Sequence, residues 1–315
     1  MLHAIARRSL LASGATLLAA PALVRAQGNP PGLALVIGNS KYQWESSLPN
    51  AKRDATDIAQ RFQSLGLKTE LVQDAGKEAM RKAINKIRSA PSGTDFAAFY
   101  FAGHGVSWEK NAYIVPADAD LSTPSADALI PTGSVHGALR KATHRLAIYD
   151  SCRNNPADGW RQKQAEDNSV VRADQQRLNA EKDANRLTLF STAPGRAALD
   201  GPAGQNSPFA AAFLRHFAGA SIDLHQLPAR LRRDLLLATQ GRQLLYDFNY
   251  FDHPFQLKGA GASPAASNDP SRIVELPKAY AFARENGFDL PTGLIALKPA
   301  AASRDSQKVG TFKYS

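Results

Sequence analysis

FAAFYFAGHG, residues 96–105, is the stretch of sequence that decides the fold. Residues 96–101 form a short continuous apolar run, which is typical of a strand buried on both faces of a parallel sheet. Just after this run, His104 stands between two glycines, which leave the backbone beside the imidazole open to a ligand. Open parallel sheets gather their catalytic groups at the carboxyl ends of their strands, so His104 is predicted at such an edge.

A second stretch, IYDSCRNNP at residues 148–156, has the same design. The apolar run at 146–149 predicts a buried strand, and Cys152 follows it closely. If the two strands are neighbours, Cys152 and His104 face each other as a thiol nucleophile and its base. The backbone N–H groups of Gly105 and Cys152 would then stabilise the oxyanion of an acyl intermediate. The alternatives are a cysteine that acts as a small buried hydrophobe and a histidine hydrogen-bonded within a turn.

Strand-like and helix-like patterns alternate outward from these two stretches. Such alternation predicts an α/β fold with a mostly parallel sheet flanked by helices. Apolar runs predict further strands at residues 33–37 and 187–190, and residues 68–72 suit another strand. Apolar stripes predict helices at 51–65 and 80–87, and helix-like stretches follow at 134–141, 208–218 and 227–239.

The two ends of the 315-residue chain differ from the part between them. Residues 1–26 place Arg7 and Arg8 before an apolar run, a pattern that resembles a twin-arginine export signal. We therefore expect an exported protein, periplasmic or secreted. The alternative is a membrane anchor, but the run is shorter than the roughly 20 residues of a bilayer span. Residues 32–259 are predicted to form one catalytic domain, and 260–315 a low-complexity tail with a short helix.

Composition and motifs exclude several functional classes. The formal net charge is +10, but the basic residues are scattered without interleaved aromatics, so no nucleic-acid partner is expected. The sequence has no phosphate-binding loop, serine nucleophile elbow or zinc-ligand cluster, so neither an organic cofactor nor a metal is expected. Asp118, Asp120 and Asp127 could suggest a metal. Read as a calcium loop from Asp118, however, the segment has Thr123 at the glycine position and Leu129 at the last acidic position. The lone Cys152 has no disulfide partner, so in an oxidising compartment it must be buried or used.

In chain order, seven segments resemble the caspase-like cysteine peptidases, specifically the bacterial caspase homologues related to metacaspases. The resemblance covers residue 33 to about residue 259. It implies a caspase/hemoglobinase-type α/β fold and peptide-bond hydrolysis through an acyl-enzyme, with His104 and Cys152 as the catalytic pair. The segments are VIGNSKY, LPNAKRDATDIA, FYFAGHG, YIVPADAD, IYDSCRNNP, LFSTAPGRAALDG and NSPFAAAFLRHF.

The resemblance also implies how a peptide or protein substrate is bound. Asp54 and Asp150 match an acidic pocket for Arg or Lys at P1, the residue that supplies the carbonyl of the cleaved bond, because carboxylates pair with cationic side chains. The alternatives are a carboxylate on a helix surface for Asp54 and a loop-orienting group for Asp150. Ser191, Thr192 and Ala193 match the edge that pairs with the substrate backbone.

Two features leave the activity and its control open. The sequence after Cys152 is Arg-Asn-Asn-Pro where many metacaspases carry His-Ser-Gly, so calcium control is not implied. The long polar segment 154–185 occupies the place where caspases are cut, and its basic residues predict autoprocessing. The alternatives to an endopeptidase are a catalytically silent caspase-like module that binds or regulates, and a scaffold that acts through the tail. An enzyme is expected to have a Cys152 of lowered pKa, and a silent module an inert one.

Overall fold

The computed structural model describes residues 32–108, 111–122, 125–153, 184–218, 221–251 and 253–258. The predicted export signal, nearly all of the polar segment after Cys152 and the C-terminal tail lie outside these residues. Within the described ranges, none of the helices combines the length and the apolarity that crossing a membrane requires.

Six strands form the central sheet. In chain order they are β1 Leu33–Gly38, β2 Lys68–Gln73, β3 Phe96–Gly103, β7 His144–Ser151, β8 Arg186–Phe190 and β10 Tyr246–Asn249. Across the sheet their order is β10-β8-β7-β3-β1-β2. All neighbouring pairs are parallel except β10 with β8, which confirms the predicted mostly parallel sheet.

Two smaller sheets were not predicted from the sequence. One contains β4 Gly105–Trp108, β5 Asn111–Ile114 and β6 Ile130–Pro131, and the other pairs β9 Ser221–Asp223 with β11 Gln256–Lys258. Their strands have two to four residues each, which is too short for an alternating pattern to stand out in a sequence.

Helices cover both faces of the central sheet. They are α1 Ala51–Ser64, α2 Lys77–Arg88, α3 Thr132–Leu139, α4 Pro208–His216 and α5 Leu227–Ala238, with a 3₁₀ helix at Ala126–Ala128. Ala98 and Tyr100 of β3 pack in one core with α1, α4 and α5, whereas Phe99 and Phe101 pack in a second core with α2 and α3. Burial on both faces explains why the strands have continuous apolar sequences.

Strand register brings the two chemically informative stretches together. β3 and β7 are hydrogen-bonded neighbours, and Gly103 is paired with Ser151 at their carboxyl ends. His104 and Cys152 are the residues that come next after these two strands, so both follow strand ends that lie side by side. The condition that the two strands are neighbours is therefore met.

Candidate active site

The imidazole of His104 is held between two residues of the segment that follows β1. The Tyr42 ring lies against it with ring centroids 4.5 Å apart, and the Tyr42 hydroxyl accepts the His104 backbone N–H at 2.8 Å. The Ser46 carbonyl oxygen lies 2.8 Å from His104 Nε2. Because a carbonyl can only accept, this contact places a proton on Nε2 and, in the neutral ring, leaves the lone pair on Nδ1.

Hydrogen bonds to the half-buried Asp74 hold this segment, residues 39–50, which we call the β1 loop. Asp74 accepts the backbone N–H groups of Ser40 and Lys41, both at 2.9 Å, and an ammonium hydrogen bond from Lys52 at 2.9 Å. These donors lower the pKa of the Asp74 carboxyl against the opposing effect of burial. The Leu48 N–H donates to the Ser40 carbonyl at 2.8 Å and closes the loop. The support of His104 is therefore well anchored.

The glycines beside His104 serve a different purpose from the predicted one. A Cβ on Gly103 would lie 2.5 Å from the Tyr42 hydroxyl, and a Cβ on Gly105 would lie 2.5 Å from Ser151 Oγ and 2.6 Å from the Cys152 carbonyl oxygen. The expectation that both glycines expose the backbone to a ligand is therefore wrong for these faces. They allow close packing of protein atoms, Gly103 against Tyr42 and Gly105 against Ser151 and the backbone of Cys152.

The thiol of Cys152 is partly buried, with Sγ 3.8 Å from the Ala198 carbonyl oxygen. Burial raises its pKa, and the charges of Asp150 and Asp200 raise it further. The structure thus favours the neutral thiol, opposite to the lowered pKa expected of an enzyme. The alternative of an ordinary buried hydrophobe does not fit either, because the sulfur contacts a polar carbonyl at a strand end.

Arg153 ties the backbone after Cys152 to the segment after β8. Its backbone N–H donates to the Arg196 carbonyl at 2.9 Å, and its carbonyl accepts the Gly195 N–H at 3.0 Å. Its buried guanidinium stacks over the Phe190 ring at 4.2 Å from the centroid. This arrangement fixes the position of the residue next to the thiol.

Asp54 and Asp150 come together beneath the thiol, on α1 and β7. Ser207 joins them, because its N–H donates to Asp54 Oδ1 at 3.0 Å and its hydroxyl donates to Asp150 Oδ2 at 2.7 Å. Burial and the Asp150 charge raise the pKa of Asp54 to about 7, and burial also raises the pKa of Asp150. Asp54 is 1% exposed, so the alternative of a helix-surface carboxylate is wrong.

Asp200 is a third carboxylate of the site, and sequence reasoning missed it. It is partly buried, and its Oδ2 accepts the Asn50 N–H at 3.3 Å. Burial raises its pKa, against the opposing effects of that hydrogen bond and of His104. The Asn50 amide donates to the carbonyls of Asp200 at 2.7 Å and Pro202 at 2.9 Å. The signal that could have identified it is the acidic residue near the end of LFSTAPGRAALDG, residues 189–201, one of the segments that carry the family resemblance.

The predicted substrate edge lies at the end of β8. Ser191 and Thr192 are buried, and Ser191 donates its N–H to the Tyr149 carbonyl at 2.9 Å while its own carbonyl accepts from Gln243 Nε2 at 2.8 Å. The Ala193 carbonyl accepts the Arg196 N–H at 3.2 Å. Pairing of these three residues with a substrate backbone stays a prediction.

The aspartates considered as a calcium loop have other partners. Asp118 Oδ1 accepts the Lys77 N–H and Asp120 Oδ1 accepts the Ser122 N–H, both at 2.8 Å. Asp127 belongs to the 3₁₀ helix. Over the part of the chain that the structure describes, no group of three or more His, Cys, Asp or Glu residues could hold a metal ion.

Comparisons with known proteins bear on the family and the fold of this chain. The family model of the caspase domain matches residues 31–246. Among solved structures, caspase-1 from Spodoptera frugiperda is similar, with a TM-score of 0.56 and 15% identity over 76% of this chain and 92% of that one. A structural-genomics target from Geobacter sulfurreducens has a TM-score of 0.48 and 17% identity over 70% and 93%. A search of curated protein sequences returns no match.

Proposed function

Because the chain belongs to the caspase-domain family of cysteine peptidases, we propose that it is an endopeptidase that cleaves peptide bonds after Arg or Lys through Cys152 and His104. One observation carries the proposal. The two residues follow the aligned ends of neighbouring parallel strands, and the Ser46 contact leaves the lone pair of His104 on Nδ1, the nitrogen that takes the thiol proton in this mechanism.

Each half-reaction uses groups of this chain. The Cys152 thiol transfers its proton to His104 Nδ1, and Sγ attacks the P1 carbonyl carbon. The N–H groups of Gly105 and Cys152 hold the negative oxygen of the tetrahedral intermediate. The imidazolium then protonates the leaving amine, which departs and leaves a thioester. Water attacks that thioester, giving a proton to Nδ1, and the released thiolate recovers it.

Specificity for a basic P1 residue follows from the arrangement of the three carboxylates. Asp200 is partly exposed and lies within electrostatic reach of both Cys152 and His104, whereas Asp54 and Asp150 lie deeper. We assign the direct contact with a P1 cation to Asp200, and the negative field behind it to the buried pair. Acidic P1 residues would be repelled.

A bound P1 cation would also activate the nucleophile. The charges of Asp150 and Asp200 both raise the pKa of Cys152. A guanidinium placed among them offsets those charges, so the thiolate becomes easier to form when the correct substrate is present. The raised pKa in the substrate-free structure is thus compatible with an enzyme that keeps its lone thiol protonated until a substrate binds.

The test is cleavage of fluorogenic peptides that differ only at P1, with Arg, Lys or Asp, and with calcium varied. Cys152→Ala removes the nucleophile, and Ser107→Ala serves as a matched control because Ser107 is a buried small residue of β4, two residues beyond Gly105. Cleavage after Arg and Lys that disappears only in Cys152→Ala supports the proposal. Turnover that survives in Cys152→Ala, or is confined to Asp, contradicts it.

A second candidate is a catalytically silent module that binds peptides at the same cleft. The raised pKa of Cys152 and its contact with the Ala198 carbonyl favour this alternative. It predicts that iodoacetamide labels Cys152 slowly at pH 7 even with an Arg peptide bound, whereas the peptidase proposal predicts faster labelling with a peptide that occupies only the P1 side.

We also propose export through residues 1–26. Replacing Arg7 and Arg8 by lysine should keep the precursor inside the producing bacterial cell if the paired arginines are read by the twin-arginine route. Fractionation of cells that express the two forms provides the measurement, and unchanged export of the lysine variant would reject that route.

A further inference from the structure

Trp44 is an exposed aromatic side chain beside the candidate dyad. Of the large hydrophobic residues in the described part of the chain, two are exposed, Trp44 at 63% and Leu71 at 38%. Leu71 lies on β2, the edge strand of the sheet, and β1 separates β2 from β3. Trp44 instead lies in the β1 loop that supports His104, where a bound peptide could cover it and gain hydrophobic free energy.

The backbone around Trp44 is fixed although the side chain is exposed. Two residues before it, Tyr42 packs on the His104 ring, and two residues after it, the Ser46 carbonyl accepts from His104 Nε2. Directly beside it, the Gln43 N–H donates to the Ala117 carbonyl at 2.9 Å. A side chain on a fixed backbone loses less entropy when a ligand covers it than one on a backbone that must first be ordered, which favours a binding subsite.

Sheet order indicates which end of a substrate meets Trp44. From β8 to β1 the strands run β8, β7, β3, β1, so the carboxyl edge carries the 191–193 segment, then Cys152, then His104, then the β1 loop. In the proposed function the residues before the cleaved bond lie near 191–193, and His104 protonates the leaving amine. The peptide that continues past His104 therefore reaches the β1 loop.

We propose that Trp44 forms the subsite for an apolar side chain in the first two residues after the cleaved bond. The inference rests on the proposed peptidase function and adds a second specificity determinant, located on the leaving-group side. The substrates would be protein segments in which Arg or Lys is followed closely by a residue such as Leu or Phe.

Quenched fluorescent peptides that share an Arg at P1 and carry Gly-Gly, Leu-Gly or Phe-Gly after it provide the test. The full chain is compared with Trp44→Ala, Trp44→Phe and Leu71→Ala, the last being the matched exposed hydrophobe away from the site. Trp44→Ala should lower kcat/KM about tenfold on the Leu and Phe peptides, as loss of an aromatic contact does. The Gly-Gly peptide and the Leu71→Ala variant should be unaffected, and Trp44→Phe should restore most of the loss.

Equal effects of Trp44→Ala on all three peptides, or no effect on any, would overturn the inference. Iodoacetamide labelling of Cys152 in each variant separates damage to the dyad from loss of a subsite, because labelling needs no leaving-group contact. If the unmodified chain cleaves the Gly-Gly peptide yet shows no preference for Leu or Phe, the subsite fails while the peptidase proposal stands. If it cleaves none of the peptides, the peptidase proposal fails and the subsite falls with it.

Discussion

Gly105→Ala is the substitution whose consequence the geometry defines best. The added Cβ would lie 2.5 Å from Ser151 Oγ, a side-chain atom that can rotate away, and 2.6 Å from the Cys152 carbonyl oxygen, a backbone atom that cannot. Real Cβ contacts essentially never lie closer than 3.0 Å, so the backbone of Gly105 and Cys152 must separate by at least 0.4 Å, the difference between 3.0 and 2.6 Å.

This displacement falls on the two residues whose N–H groups are proposed to hold the oxyanion. Overpacking of this kind costs about 1–3 kcal/mol of stability. Misplacement of catalytic groups by a large fraction of an ångström lowers rates by up to about 100-fold. We therefore expect Gly105→Ala to fold, to lose about 1–3 kcal/mol in the free energy of unfolding, and to lose much more activity than this destabilisation explains.

The assay combines urea unfolding with kcat/KM on the Arg peptide. Gly137→Ala is the matched control, because Gly137 lies in α3 and a Cβ there meets nothing within 4 Å. That control should stabilise the protein by about 1 kcal/mol, the usual gain of alanine over glycine in a helix, and leave activity unchanged. Full kcat/KM in Gly105→Ala would refute the proposed role of this backbone in holding the oxyanion.

Three further substitutions test the carboxylates. Burial and the Asp150 charge raise the pKa of Asp54 from 3.8 to about 7. Between these two pH values the folded state keeps a proton that the unfolded chain releases. The stability gained from this proton is complete below pH 3.8 and is lost as the pH rises to about 7. Asp54→Asn should therefore exceed the unmodified chain in unfolding free energy above pH 7, with a difference that shrinks towards pH 4; a constant difference would contradict this linkage. Asp200→Asn should speed iodoacetamide labelling of Cys152 at pH 7, because the Asp200 charge raises the thiol pKa, and should lower cleavage after Arg; slower labelling would show that the assigned electrostatic effect is wrong. Asp234→Ala breaks a buried cluster with His216, Arg215 and Arg233 and should cost about 3 kcal/mol in urea unfolding, the low end for a buried pair, because Arg215 and Arg233 are 41% and 34% exposed and can rehydrate. Arg215→Ala should cost less than about 1 kcal/mol of unfolding free energy. A loss larger than that of Asp234→Ala would contradict the view that the buried carboxylate matters more than its exposed partner.

Long apolar strands made the central sheet predictable. Residues 96–101 and 146–149 are apolar throughout because cores lie on both faces of β3 and β7, and that pattern needs no knowledge of the neighbours. The small sheets were missed because their short strands depend on pairing across the chain. Ser221 of β9, for example, lies opposite Lys258 of β11, a pairing across the chain that no local pattern indicates.

His104 and Cys152 could be predicted as candidate residues because each directly follows a recognisable strand. Asp200 has no such marker. Its position depends on Asn50, which is distant in sequence and bonds to the carbonyls of Asp200 and Pro202. Likewise, the role of the glycines beside His104 required knowing that Tyr42 and Cys152 lie against them. These features arise from contacts between segments, which a single sequence does not reveal.

The pKa of Cys152 illustrates why a site's electrostatics are harder to predict than its members. A histidine at the next strand end predicts an activated thiol, but burial and two carboxylates act in the opposite direction. The same carboxylates provide the charge that a basic P1 residue would meet. If the proposed function is correct, specificity and activation are coupled: the cation that satisfies the pocket also removes the field that suppresses the thiolate. An Arg peptide should then lower the pH midpoint of iodoacetamide labelling of Cys152, whereas a peptide with Gln in place of Arg should not. Equal midpoints with the two peptides would show that a cation in the pocket does not affect the pKa of the nucleophile.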